Sequence, residues 1–396
     1  MHVGALRSLI VSANPPAASA SRPDSQASPR RRPKSICTVH KRAVSLAHGV
    51  PATSFDVIRS RAPLRISFCG GGTDVPPYPE LFGGCVLSCG IDKYAFVSLR
   101  SRDDESIRVH SSDLNRVAEF SGRSGPLAGA IDLAQTIFNR FGTHSLDCYM
   151  SSDAPPGSGL GSSSAMIVAL IGALARRDAK PLSDYEMAEL AYAVERTDLN
   201  IQGGMQDQYA ATFGGFNFIE FTSDGVLVNP LRISEDALNE LHCHLLLCYT
   251  GGTRASSNIL REQTANVVSQ VPDVMSSLAE LKDLTLELKR ALLQNRFIEF
   301  GEILDRAWHL KKRLASGISN PSIDELYEIA KRAGAIGGKL LGAGGGGFLL
   351  VFVPFTRREN VRERLEFAGG KIVDFQFDPR GVRTWLATGD TWIERT

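Results

Sequence analysis

The stretch Pro155-Pro156-Gly157-Ser158-Gly159-Leu160-Gly161-Ser162-Ser163-Ser164-Ala165 constrains this chain more than any other. It follows a strand predicted over residues 147–151 and opens an apolar helix predicted over 163–177. Three glycines remove the Cβ atoms that would hold an anion away from the backbone. A helix start leaves N–H groups unpaired and points the positive end of the helix dipole at the same place. Three serines add hydroxyl donors, or an oxygen ligand for a hard cation. A merely flexible turn needs no such combination, so Gly157, Gly159, Leu160, Gly161, Ser162, Ser163 and Ser164 are read as an anion-binding loop. It is not the usual nucleotide loop, because the chain contains no G-x-x-x-x-G-K-S/T. The H-R-D and D-F-G elements of protein kinases are also missing.

A second glycine run, Gly342-Ala343-Gly344-Gly345-Gly346-Gly347, formally matches G-x-G-x-x-G. A dinucleotide fingerprint needs a strand before it and a helix after it. Here a predicted helix (322–333) comes before and a predicted strand (348–354) after, which excludes the dehydrogenase reading. The run is expected to bring backbone close to a ligand or to the first loop, with a tight structural turn as the alternative. A third cluster runs from Arg61 to Asp74 as RAPLRISFCGGGTD. On a strand, Ile66 and Phe68 would face the core, while Arg65 and Ser67 project the other way. Asp74 follows three glycines and a threonine, so a ligand could approach it closely. Farther on, Glu195 and Asp207 lie twelve positions apart in AVERTDLNIQGGMQDQY. Taken singly, each acid would be read as a solvated surface charge.

Three stretches in this order, APLRISFCGGGTD, PPGSGLGSSSA and GKLLGAGGGGF, resemble the motifs of the GHMP kinases, over about residues 58–396. That resemblance implies two α+β domains with an active site in the cleft between them, and transfer of the γ-phosphoryl group of ATP to a hydroxyl. It implies Asp207 as the catalytic aspartate, which accepts the hydroxyl proton, and Arg65 as the basic residue beside it. Ser163 and Glu195 match the family's Mg2+ ligands, with Ser162 and Ser164 close enough to take the serine's place. Asp74 matches the acid that holds sugar hydroxyls, with Gly71, Gly72 and Thr73 around it. Gly345 and Gly346 are assigned to the same substrate side. SFCGGGTDVPPY and GGCVLSCGIDKYAFV look most like the D-glycero-D-manno-heptose 7-phosphate kinases, with fucokinase-type enzymes as relatives. A galactokinase would carry Gly-Glu-His before its Thr-Asp, where this chain has Gly71-Gly72. TGGTRASSNIL also fits the heptose enzymes, and Arg254 is assigned to a phosphate already on the sugar. Free fucose or galactose remains the alternative acceptor, and a non-catalytic sugar-phosphate binder the alternative of another class.

The remaining sequence sets bounds. With 43% hydrophobic and 22% charged residues, the chain can build a sizeable core. A net charge of +1 gives it no electrostatic reason to seek nucleic acid or an acidic membrane. Seven cysteines without a C-x-x-C pair read as reduced thiols of a cytoplasmic protein. His242, Cys243, His244 and Cys248 are read as part of one buried strand, with the two histidines on one side, rather than as a metal site. Residues 56–230 are expected to form the ATP-binding domain and residues 231–396 the second, as a monomer or a homodimer. Residues 1–55, rich in Ala, Ser, Pro and Arg, are expected to be disordered, either a transit peptide or the product of an over-early start codon. Deleting residues 1–50 is therefore expected to leave turnover and Tm nearly unchanged. A Tm drop of more than a few degrees, which corresponds to about 1 kcal/mol, would mean that the segment packs on the core.

Overall fold

The computed structural model describes residues 57–120, 130–252 and 256–387. The N-terminal stretch expected to be disordered lies outside them, as does Arg254. Seven strands form most of a large mixed sheet: β1 (Val57–Cys69), β2 (Gly84–Ser101), β3 (Ile107–Ser111), β4 (Arg116–Phe120), β5 (Leu146–Ser152), β6 (Phe216–Thr222) and β7 (Gly225–Pro230). A second sheet holds β8 (Leu245–Tyr249), β9 (Gly337–Leu340), β10 (Phe348–Phe352) and β11 (Lys371–Ile372) in the antiparallel order β11-β8-β10-β9. The last strand, β12 (Arg383–Ala387), pairs with β1 and so returns to the large sheet. The segment expected to close the second domain thus lies on the first sheet. Backbone bonds between Asp378 and Gly90 and between Asp92 and Gln376 hold it there.

Strand β2 spans 18 residues, long enough to serve two neighbours. Its first half pairs with β6 and its second with β5, while β1 runs along both. Strand β1 is buried along nearly its whole length because it is central in the sheet and covered by a helix. In it Ile66 and Phe68 are fully buried in the core, and Arg65 and Ser67 turn to the other side, as the alternation requires.

The helices are α1 (Tyr78–Phe82), α2 (Ala130–Phe141), α3 (Ser162–Arg177), α4 (Asp184–Ala193), α5 (Gln206–Phe213) and α6 (Glu235–Cys243). They continue as α7 (Ser256–Val268), α8 (Pro272–Leu293), α9 (Phe297–Lys312), α10 (Pro321–Ala333) and α11 (Arg358–Phe367). Helix α3 is apolar almost all round and therefore buried, packed on β1 and β2. On α8, Leu278, Leu281, Leu284, Leu288 and Leu292 recur at three and four positions, and all are buried. Each contributes about 1.5–3 kcal/mol relative to exposure. Helix α8 packs on α9 and on β1 and β2 of the large sheet, and α9 reaches both β9 of the second sheet and β1 of the first, so the helix pair joins the two sheets. An aromatic run crosses the same junction: Phe68 of β1 stacks on Phe216 of β6 and meets Phe300 of α9 edge-on, and Phe300 contacts Phe352 of β10.

One local reading is corrected. His242 and Cys243 end α6 and His244 is its C-cap, so the buried strand starts only at Leu245. The helix begins where Ser234 caps it by accepting from Ala237 N, and Glu235 and Asp236 suit its first turn. Helix α4 keeps α geometry to Ala193 and then widens into a π turn, Val194–Asp198, which carries Glu195. Among the described residues, no helix is long and apolar enough to cross a membrane. None of the six described cysteines is paired.

Candidate active site

A cleft of about 290 Å3 lies where the three glycine-rich stretches converge. Its centre is Arg65. The guanidinium donates through Nε to Asp207 Oδ1 at 2.8 Å, where Nη2 also makes an ion-pair contact at 2.8 Å, and through Nη1 to Gly159 O at 2.6 Å. Arg65 N also donates to Leu160 O. The arginine is therefore fixed to the first loop by main chain and side chain, and to α5 by an ion pair. Its side chain is 4% exposed and that of Asp207 23%, so Asp207 keeps an open side.

The first loop needs its glycines for stated reasons. Gly161 precedes α3 at φ 75°, and a Cβ there would lie 3.4 Å from Asp207 Cγ and 3.5 Å from Arg65 Cγ. A Cβ on Gly159 would stand 2.6 Å from Leu341 O, because the second glycine run packs on the first loop backbone to backbone. Phe348 N donates to Ser158 O to complete that contact. No side chain caps α3, so its first N–H groups face the cleft unclaimed.

Asp74 is fully buried at the opposite wall. Its carboxylate accepts from Gly72 N, Gln206 N and Gln206 Nε2 at 2.9–3.2 Å. Burial pushes the carboxyl above its usual range and the Asp207 charge adds to this, while the Gly72 and Gln206 hydrogen bonds pull back. Glu195, 3% exposed, accepts from Ser164 Oγ and Gln208 Nε2, both at 2.6 Å. Arg196 Nη1 lies 3.6 Å from its other oxygen.

The expected residues thus divide. Arg65, Gly71, Gly72, Asp74, Gly157, Gly159, Gly161, Ser162, Ser163, Ser164, Glu195, Asp207 and Gly346 all line the cleft. Of the serines, Ser164 bonds Glu195, while Ser163 is exposed at the helix start. Three residues do not line it. Thr73 is fully buried, its hydroxyl bonded to Gly70 O and Cys85 O, so it shapes the turn. Leu160 is a core residue that contributes only its carbonyl. Gly345 turns away and donates to Ile318 O.

The sequence reading passed over Gln206, Gln208, Lys311 and Lys339. The two glutamines had a signal, since they flank Asp207 in one helical turn. Lys339 had one too, as a lone charge in an otherwise apolar strand. Lys311 had none, because a lysine in the last turn of a helix is ordinary.

The polar groups at Glu195 are the Ser164 hydroxyl, the Gln208 amide and, at 3.6 Å, the Arg196 guanidinium. Among the described residues, no three His, Cys, Asp or Glu side chains gather to cage a metal. One carboxylate with a serine hydroxyl fits a magnesium ion that takes its other ligands from water and nucleotide phosphate.

Comparison with known proteins agrees with this geometry. The model for the GHMP kinases N-terminal domain matches residues 128–215, and that for the GHMP kinases C-terminal domain matches 288–371. A D-glycero-alpha-D-manno-heptose 7-phosphate kinase of Campylobacter jejuni is 37% identical over 336 residues, which cover 83% of this chain and 98% of that protein. A solved D-glycero-D-manno-heptose 1-phosphate kinase from Bacteroides thetaiotaomicron superposes with a TM-score of 0.70 at 32% identity, over 84% of this chain and all of that one. An L-fucokinase/L-fucose-1-P guanylyltransferase of Bacteroides fragilis is 28% identical over 75% of this chain, but only 34% of that protein is matched. The chain belongs to the GHMP kinases, and its two sheets with the cleft between their loops form that family's two-domain α+β fold. Within the family it is related to the heptose kinases.

Glu195→Gln should raise the magnesium concentration for half-maximal activity about ten- to hundredfold. An unchanged magnesium requirement would remove Glu195 from the metal site.

Proposed function

We propose that this protein is an ATP-dependent sugar kinase that phosphorylates the anomeric hydroxyl of a sugar phosphate, D-glycero-D-manno-heptose 7-phosphate. The observation that carries the reading is the Arg65–Asp207 pair, held between the open N-terminus of α3 and Asp74. Phosphoryl transfer asks for alignment and charge neutralisation more than for covalent help. The first loop and the α3 N–H groups would hold the nucleotide phosphates, and Glu195 with Ser163 or Ser164 would hold magnesium. When bound, the ion neutralises charge on the phosphates. Asp74 and the Gln206 amide orient the sugar hydroxyls. Both Arg65 contacts go to Asp207 Oδ1, which leaves Oδ2 to accept the proton of the attacking hydroxyl. Arg65 keeps that carboxylate charged and stabilises the transferred group.

The choice of a heptose phosphate is supported by the 37% identical relative and by the absence of Gly-Glu-His before Thr73-Asp74. A free-sugar kinase is the second reading, favoured by the match to the fucokinase portion of a larger enzyme. ADP release measured against heptose 7-phosphate, heptose, fucose, galactose and mevalonate separates them. The heptose phosphate should give the highest kcat/KM by at least about tenfold, the size of one charge-assisted contact. Preference for fucose or galactose would replace this reading with the second. No turnover with any of them, together with sugar-phosphate binding, would make the chain a non-catalytic binder.

A further inference from the structure

Lys339 and Lys311 line the same cleft, 3% and 6% exposed, and the mechanism above gives them no role. Lys339 Nζ donates to Ser67 O at 2.7 Å. Lys311 Nζ donates to Leu340 O at 2.9 Å and to Gly342 O at 2.5 Å. Among the described residues, neither ammonium forms an ion pair with a carboxylate; their recorded partners are these carbonyls. An ammonium has three N–H groups, so three of the six remain free. Buried charges without partners are costly and are kept where a ligand completes them. Burial drives the Lys339 amine down to about 8 and the Lys311 amine well below its usual value; the nearby Arg65 charge pushes both the same way, and Asp74 pulls back.

A second observation says which anion. Ser67 Oγ is buried and has no hydrogen-bond partner, yet Ser67 lines the cleft. Ser67 lies two residues beyond Arg65 on β1, on the same face, so their Cα atoms are about 7 Å apart at the usual strand rise. The next wall along is Gly71, where a Cβ would sit 3.4 Å from Gln206 Nε2 and 3.6 Å from Ser67 Oγ. Gln206 in turn holds Asp74. Lys339 is therefore attached to the acceptor wall, one strand repeat from the pair that meets the reacting hydroxyl. The phosphate at the far end of a seven-carbon sugar stands off from its anomeric oxygen in the same way.

We propose that Lys339 and Ser67, flanked by Lys311, form the subsite for a phosphate carried by the acceptor. The inference rests on the sugar-phosphate reading above and names the residues that would read that phosphate. The test uses the full chain with ATP and magnesium, and the variants Lys339→Met and Lys339→Arg. KM is measured for heptose 7-phosphate, for unphosphorylated heptose and for ATP. Lys339→Met should raise KM for the sugar phosphate about ten- to hundredfold. The preference for the phosphorylated over the unphosphorylated sugar should collapse by the same factor, with KM for ATP near that of the unaltered protein. Lys339→Arg should restore much of the preference. Equal losses with both sugars, or a loss confined to ATP, would overturn the subsite.

Should Lys339→Met fail to fold, inorganic phosphate tests the unaltered protein. Competition with the sugar is expected, and competition with ATP alone would overturn the proposal. The two readings also fail separately. A protein that prefers the sugar phosphate, and still does so as Lys339→Met, loses the subsite and keeps the function. A protein that prefers a free sugar, yet is inhibited competitively by phosphate in a Lys339-dependent way, keeps the subsite and loses the heptose phosphate.

Discussion

The ion pair between Arg65 and Asp207 is the contact on which the site depends. It joins a central strand to the first turn of α5, and a third guanidinium contact ties both to the glycine loop. A nearly buried arginine is tolerable only when its donors are matched, and here three of them are. Removing one partner of such a pair costs about 3–5 kcal/mol, mostly because the other charge is left unmatched. The pair therefore fixes where a phosphate can lie and where a proton can go. Gly161 shows how close the loop comes, since a methyl there would touch both residues, while its φ of 75° is what calls for glycine.

The remaining architecture holds that pair in place from several directions. The buried helix α3 anchors the loop that Arg65 grips, and the second glycine run packs backbone to backbone against the same loop. Helix α9, packed on β9 and on β1, and its Phe300 against Phe68 lock the two sheets together, so the walls of the cleft keep their spacing. The glycine run thus serves less as a ligand contact than as a brace. Gly342 meets Gly159, and Gly346 meets Gly252, at distances no side chain would permit.

What the sequence could disclose follows from the range of the interactions involved. Local signals were legible: the alternation that separates Arg65 from Ile66, the apolar surface of α3, and the leucine spacing of α8. The order of the three glycine stretches was legible as a resemblance, and it brought Glu195 and Asp207 out of the background of surface acids. Features set by distant contacts were not legible. Nothing local says that β12 returns to β1, that the Thr73 hydroxyl is used up by Cys85, or that Gly345 turns toward Ile318. The partner of Glu195 could not be chosen among three adjacent serines, because the π turn that aims the carboxylate at Ser164 has no clear signature in the sequence. Lys311 looked like a solvated helix-end cation until the fold buried it.

A double-mutant cycle on turnover tests the central claim most directly. Arg65→Met and Asp207→Asn are measured singly and together at saturating ATP and acceptor. Each single change should cost on the order of 10²–10⁴ in kcat. Residues that act as one unit lose little more when both are removed, so the double variant should be about as slow as the slower single one. Multiplied losses would show two independent roles, and would contradict an account in which the pair is the organising contact of the site.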